Sequence, residues 1–208
     1  MSENQEGSTP AVEESLIPQD FRLEVDIKGL PYIFEGNVPN DPTDFKWTVS
    51  VPNWEEQKAK AEEVLTQGKI NPNWVRELPA HDLGEGRVGA LKVTKVDPAD
   101  GGKSLGIDMV ETATVYLPKE LGYYNAEGIG SFLLDNLCAF ADIKKWRIYL
   151  QPVDKGGNLT QDKIYNWYKK RGFQPAFKFP KESRDNFGEM QRRPTEPDVT
   201  QAIAKVIK

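Results

Sequence analysis

Two hydrophobic periods follow one another along this chain, first the two-residue period of strands and then the longer period of helices. From Phe21 the run FRLEVDIKG alternates apolar and charged side chains, which is typical of a strand with one buried face. Further strand-like runs follow at PYIFEG, DFKWTVSV, RVGALKVTKV and LGIDMVETATVYL. A helical pattern that begins near Asn53 and closes at Gly68 separates the third run from the fourth. We therefore expect a sheet built largely from the first half of the chain.

The second half alternates helical and strand-like patterns. Residues 131–145 carry apolar side chains at helical spacing, and the short β-rich run WRIYLQPV follows them. A second helix is predicted over TQDKIYNWYKKRGF, with Gly172 near its end, and FQPAFKF and GEMQRR read as closing strands. This order predicts an α/β fold with a mixed sheet flanked by helices.

Charge and hydropathy exclude several classes of protein. Five acidic residues and no basic ones lie in residues 1–20, which we interpret as a disordered acidic tail. The remaining 27 acidic and 27 basic residues balance, so no broad nucleic-acid surface is expected. Mean hydropathy is −0.61, and no apolar run approaches the roughly 20 residues of a membrane span.

The cysteine content and the start of the sequence indicate a compartment. Cys138 is the single cysteine, so it cannot form an internal disulfide, and its apolar neighbours predict a buried core residue. The first residues lack a basic region followed by an apolar core, so no signal peptide is expected. These features favour a cytoplasmic protein.

The segment NAEGIGS places two glycines at the start of the helical pattern over 131–145. A dinucleotide fingerprint would need a third glycine, but Leu133 occupies that position. A plain helix start is one alternative. The other is an anion site, because the first amides of a helix have no intrahelical partner and glycines allow a phosphate to approach them.

Two motifs together resemble the GNAT superfamily of acyl-CoA-dependent N-acetyltransferases. NAEGIG matches the family motif Q/R-x-x-G-x-G/A with Asn125 at its first position, and WYKKRGF matches L-Y-x-x-x-G-F with Trp167 in place of Leu. The resemblance covers residues 105–193 as a GNAT-like acyl-CoA-binding core. Residues 21–104 are a divergent, strand-rich part of the domain, and residues 194–208 a short C-terminal helix or tail.

The resemblance implies transfer of an acetyl group from acetyl-CoA to an amine, without a metal. It implies that two neighbouring strands splay apart to take the pantetheine arm and that the glycine turn holds the pyrophosphate. The implied cofactor-binding residues are Val115, Tyr116, Leu117, Asn125, Ala126, Glu127, Gly128, Ile129, Gly130 and Ser131. Tyr168 is the implied acid that protonates the leaving thiolate.

Other assignments remain open at this point. The base is Glu111 or Asp108, although both also suit ordinary strand positions, and Tyr168 also suits a packing role. His81, the only histidine, lies in a loop that we expect to face solvent. Gly102-Lys103-Ser104 ends like a P-loop, but Asp97 replaces its first glycine, so a hairpin loop is the better interpretation.

An alternative function comes from a different class of protein. A GNAT-shaped module without activity would serve as a binding or structural protein, and its acidic tail or C-terminal helix would then contact a protein partner.

Overall fold

The computed structural model describes residues 19–66, 86–97, 101–112, 127–152, 160–176 and 190–195. These residues form the following strands and helices in chain order: β1 Gln19–Ile27, β2 Leu30–Val38, β3 Phe45–Ser50, α1 Trp54–Thr66, β4 Arg87–Val96, β5 Ser104–Thr112, α2 Ile129–Lys144, β6 Arg147–Leu150, α3 Gln161–Lys169, β7 Gln174–Pro175 and β8 Met190–Arg192. The predicted tail, His81 and the predicted C-terminal helix lie outside the described residues.

All the described strands belong to one sheet, in the order β1-β2-β3-β4-β5-β6-β8-β7. Neighbouring strands are antiparallel except β5 and β6, which run parallel because α2 connects them. The predicted fold class is confirmed, since a mixed sheet is flanked by helices. The strand-rich first half and the core that follows it share this single sheet.

The ends of two strands in the second half differ from the sequence prediction, because a local pattern locates the ends of strands poorly. The run FQPAFKF contributes only the two residues of β7 to the described part of the sheet, and β6 is shorter than WRIYLQPV. The run 97–104 connects two antiparallel strands, and the residues after Ser104 extend β5. The hairpin interpretation is therefore confirmed over the P-loop alternative.

Helix α2 packs on the sheet because β4 has a glycine under it. A Cβ atom at Gly89 would lie 2.4 Å from Ile129 Cγ2 and 3.3 Å from Leu133 Cδ1. Both of these α2 side chains are fully buried. The missing side chain therefore sets how closely the first turns of α2 approach the strands.

Aromatic rings fill the space between α2 and the first strands. Phe34 of β2 contacts Phe132 of α2 at a ring-centroid distance of 5.0 Å, and Trp47 of β3 contacts Phe140 at 5.8 Å. Both pairs meet edge to face, the arrangement that aromatic quadrupoles favour. Cys138 of α2 is also buried, and burial raises the pKa of its thiol to about 12, as expected for a core residue.

A buried ion pair joins α2 to the last described strand. Arg192 of β8 donates two hydrogen bonds to Asp142, at 2.7 and 2.6 Å, and the Thr195 amide donates a third at 2.7 Å. Burial acts to raise the pKa of Asp142, but these hydrogen bonds and the charge of Arg192 outweigh it and hold the pKa below its usual 3.8. The ionised pair therefore fixes β8 and the following turn against the end of α2.

None of the described helices has the length and apolar character needed to cross a membrane.

We expect Gly89→Ala to lower the free energy of unfolding by about 1–3 kcal/mol, because the added methyl group overlaps Ile129. Gly130→Ala is the matched control, since its Cβ would lie 3.5 Å from Thr112 Cγ2, an ordinary contact. Alanine also favours the helix, so the control should be neutral or gain up to about 1 kcal/mol. Urea denaturation measures both; equal losses would contradict the role of Gly89.

We expect Asp142→Asn to lower the free energy of unfolding by about 3–5 kcal/mol near neutral pH, because it leaves the buried Arg192 without its counter-charge. Since the folded-state pKa of Asp142 lies below 3.8, this difference should persist above that pH and shrink as pH falls through the folded value.

Asp135→Asn is the control for this measurement, since Asp135 lies on the same helix as Asp142 but forms a more exposed ion pair, with Arg171 just after α3. That change should cost no more than about 1 kcal/mol. Denaturant unfolding at a series of pH values measures both variants. A cost for Asp142→Asn no larger than the control would rule out the buried pair as a main stabilising contact.

Candidate cofactor and catalytic site

The residue that caps the N-terminus of α2 is a glycine in the left-handed conformation. Gly128 has φ 85 and caps the helix without a side-chain hydrogen bond, and its carbonyl accepts the first helical bond from the Phe132 amide at 2.8 Å. The helix starts at Ile129, two residues before the predicted start, so Gly130 lies in its first turn. The amides of this turn have no intrahelical acceptor and carry the positive end of the helix dipole.

The first turn of α2 contacts the end of β5 and helix α3. A Cβ atom at Gly130 would lie 3.5 Å from Thr112, 3.7 Å from Trp167 and 3.8 Å from Val110. The Trp167 indole donates a hydrogen bond to Ser131 Oγ at 3.1 Å. The two motifs that carried the resemblance, NAEGIG and WYKKRGF, are therefore in direct contact through Gly130, Ser131 and Trp167.

A lysine that the sequence analysis did not single out lies over the glycine turn. Lys28 and Gly29 form the turn between β1 and β2, both with positive φ, as two-residue hairpins often require. The Lys28 side chain lies 3.3 Å from the Cβ position of Gly128, and its ammonium pairs with Glu127 at 3.2 Å. No local pattern in the sequence indicates this contact, because 99 residues separate the two charges.

The parallel pairing of β5 with β6 is short. Within the described residues it runs from Ser104 opposite Arg147 to Ile107 opposite Leu150. Strand β5 continues to Thr112 and stays paired with β4. The β6-facing edge of residues 108–112 is therefore unpaired among the described residues, at the end of the strand where α2 begins.

A bulge lies at the point where this pairing stops. Lys92 is opposite Met109 and the next residue, Val93, is opposite Ile107, so Asp108 is the extra residue. Asp108 pairs with Lys92 at 2.8 Å, and the hydrogen bond and charge of Asp108 raise the pKa of Lys92. The candidate base Asp108 is thus engaged in an ion pair on the surface.

Tyr168 is buried beside the contact between α2 and α3. Its ring packs on Trp167 at 4.7 Å and on Phe173 at 5.5 Å between centroids. Burial raises the pKa of the Tyr168 hydroxyl to about 12, although the nearby Arg171 charge acts to lower it. The hydroxyl therefore remains protonated at neutral pH, and the ring takes part in packing.

Glu111 faces away from α2. Val110 and Thr112 point toward Gly130, so by strand alternation Glu111 points to the other face of the sheet, where it is opposite Ala90 in the register. The structure thus brings Gly128, Gly130 and Ser131 together with Trp167 and, through it, Tyr168. It does not place Glu111 on the same face.

Several predicted residues lie outside the described residues, namely Val115, Tyr116, Leu117, Asn125 and Ala126. Among the residues that the structure describes, no group of three His, Cys, Asp or Glu side chains is arranged to hold a metal ion.

Comparisons with known proteins give one distant structural likeness. No family model and no curated protein matches the chain. Among solved structures, the crystal structure of the anti-CRISPR protein AcrVA5 aligns with a TM-score of 0.34 and 20% sequence identity, over 50% of this chain and 88% of that one.

Proposed function

We propose that this chain is an N-acetyltransferase that moves an acetyl group from acetyl-CoA to an amine acceptor. The observation that carries the proposal is the meeting of two features at one end of the sheet. The glycine-flanked N-terminus of α2 contacts Val110 and Thr112 of β5. Along these same residues β5 has no described partner on its β6 side.

The first turn of α2 suits a diphosphate. The first amides of a helix have no intrahelical acceptor, and together with the helix dipole they attract negative charge. Gly128 and Gly130 are only partly buried, and neither carries a side chain of its own over these amides. Lys28 adds a positive charge beside Gly128, and its exposed ion pair with Glu127 is weak enough to exchange for a phosphate oxygen. In this proposal the cosubstrate's phosphates lie on residues 127–131.

The edge of residues 108–112, which has no partner among the described residues, suits the pantetheine arm. Its amide groups can hydrogen-bond to the edge as an added strand would, because a strand edge presents free N–H and C=O groups. The arm would follow β5 from its bulge at Asp108 toward Val115, Tyr116 and Leu117. The thioester would then lie at the edge of the sheet, where an acceptor could reach it from either face.

The proposed reaction needs positioning and two proton movements. The neutral amine attacks the thioester carbonyl carbon, the C–N bond forms, and the C–S bond breaks to release a thiolate. The attacking nitrogen loses one proton and the thiolate sulfur gains one, so the transfer is balanced. Because Glu111 lies on the face opposite α2, it can act as the base only for an amine that approaches from that face.

Tyr168 is the proposed group at the leaving thiolate. With a pKa of about 12, its hydroxyl keeps its proton at neutral pH and can donate a hydrogen bond to developing negative charge. A thiolate is a weaker base than such a phenolate, since thiol pKa values lie near 8.5. Tyr168 therefore acts mainly by hydrogen bonding, and the proton reaches the sulfur in the end from solvent.

We expect titration calorimetry to detect saturable binding of acetyl-CoA that Gly128→Asp weakens by at least about tenfold, since the added carboxylate repels the diphosphate. Gly128→Asn is the matched control, because it has the same size, tolerates positive φ and carries no charge. It should bind at least several-fold more tightly than the Asp variant. Absence of wild-type binding would exclude the proposed activity and favour the alternative, a non-catalytic binding module. Equal acetyl-CoA affinities of the Asp and Asn variants would exclude Gly128 as part of the diphosphate site.

We expect Tyr168→Phe to lower turnover by about ten- to a hundredfold with acetyl-CoA affinity unchanged, because it removes one hydrogen bond to a charged group. Release of the CoA thiol is measured with a mixture of free amino acids, spermidine and a lysine-containing peptide as acceptors. Tyr165→Phe, in the same helix, is the control and should retain turnover. Unchanged turnover in Tyr168→Phe would remove this residue from the mechanism.

A further inference from the structure

A cavity separate from the proposed cosubstrate site opens on the sheet face opposite α2. Its volume is about 650 Å³, within the range of small-molecule sites. The residues that line it are Arg22, Glu35, Ser50, Val51, Asn53, Trp54, Glu55, Glu56 and Arg87.

The sheet forms the floor of this cavity. Arg22 is opposite Glu35 across β1 and β2, and Ser50 is opposite Arg87 across β3 and β4. Strand alternation directs Arg22 and Glu35 away from their neighbours Phe21 and Phe34, which pack together toward α2. The charged side chains therefore share the face that α2 does not cover.

The start of α1 forms one wall. A Cβ atom at Gly86 would lie 2.5 Å from the Trp54 ring, so the ring packs directly on the backbone that precedes Arg87. The Val51 amide donates a hydrogen bond to the Gly86 carbonyl at 2.9 Å, which joins the end of β3 to this backbone. The first turn of α1, with Glu55 and Glu56, is thus fixed beside the floor.

The charges in the cavity are only partly neutralised by one another. Arg22 and Glu35 form an ion pair, and Glu35 also accepts a hydrogen bond from Thr48 at 3.5 Å. The Arg87 guanidinium and the Glu55 carboxylate make no hydrogen bond or ion pair with other described residues. One cation and one anion therefore face the same space without partners among the described side chains.

We propose that this cavity binds a free amino acid through its carboxylate and its ammonium group. The planar guanidinium of Arg87 suits two parallel hydrogen bonds to a carboxylate, and Glu55 at the start of α1 suits an ammonium. The volume leaves room for a side chain beyond these two groups.

The charge pattern favours this ligand over its simpler analogues. A carboxylic acid alone would pair with Arg87 but meet the negative charge of Glu55 and Glu56. An amine alone would leave the Arg87 charge without a partner. A ligand with both groups satisfies both charges at once, and electrostatic complementarity of this kind sets specificity.

The position of the cavity connects it to the proposed reaction. Arg87 of β4 is opposite Ser50, and Ala90 is opposite Thr48, two residues from Ser50, so the bulge in this pairing puts Arg87 and Ala90 on one face of the sheet. Ala90 is in turn opposite Glu111 of β5. The cavity thus shares a face with Glu111 and lies at the end of β5 where α2 begins. Use of the bound amino acid as the acetyl acceptor rests on the proposed function, whereas its binding does not.

The test uses the full chain without acetyl-CoA, so its result is independent of cosubstrate binding. Amide NMR spectra are recorded with a mixture of the twenty L-amino acids at millimolar concentration, and the amino acid that binds most tightly is then titrated alone. Its deamino acid and its decarboxylated amine are titrated in parallel. We expect chemical-shift changes at the amides of Ser50, Trp54 and Arg87, and we expect each analogue to bind with an affinity lower by about tenfold or more.

Two variants assign the contacts. Arg87→Gln should lower the affinity for the amino acid by about ten- to a hundredfold. Glu55→Gln, on an exposed helix turn, should make the amino acid and its deamino analogue bind with equal affinity. Lys95→Gln on the same strand, which removes a charge outside the cavity, should change neither. Absence of shifts in the cavity, or a deamino acid that binds as tightly to the wild type, would overturn the proposal.

Discussion

The close contact between α2 and β4 at Gly89 determines where the second half of the molecule lies. With no Cβ at that position, Ile129 and Leu133 reach the sheet, and the aromatic rings of the first strands pack against the rest of the helix. The same contact brings the first turn of α2 to the end of β5 and its last turn to Arg192. The candidate phosphate seat, the aromatic core and the buried ion pair therefore depend on one helix position.

The short parallel pairing of β5 and β6 is the second constraint. In the described part of the chain, four residues of β5 pair with β6, and the bulge at Asp108 interrupts the regular ladder with β4 where that pairing ends. A bulge twists and bends its strand locally, and beyond Ile107 the described residues include no partner for β5 on its β6 side. The candidate site thus depends on an irregularity in the sheet as much as on the glycine turn.

The two faces of the sheet differ in chemistry. The face under α2 is aromatic and buried, whereas the other face carries charged side chains around a cavity bounded by α1. In the proposed reaction, the cosubstrate and the small polar acceptor would each use one of these two unlike surfaces. The edge of β5 that has no partner among the described residues lies between these faces. Glu111 faces away from the first turn of α2 and stays a candidate base only for an acceptor on its own face.

The local sequence pattern by itself determined most strands and helices and the glycine turn that precedes α2. Alternation from Phe21 and helical spacing over 131–145 predicted the strands and α2, and the glycines marked a turn whose backbone is indeed left-handed at Gly128. The buried role of Cys138 also followed from its neighbours. Only the tertiary structure decided which distant side chains meet: Lys28 with Glu127 across 99 residues, Asp142 with Arg192 across 50, and Arg22 and Arg87 around one cavity. Periodicity records which face of an element is buried, but the partners of a charge depend on strand order and register, which are set by packing of the whole sheet.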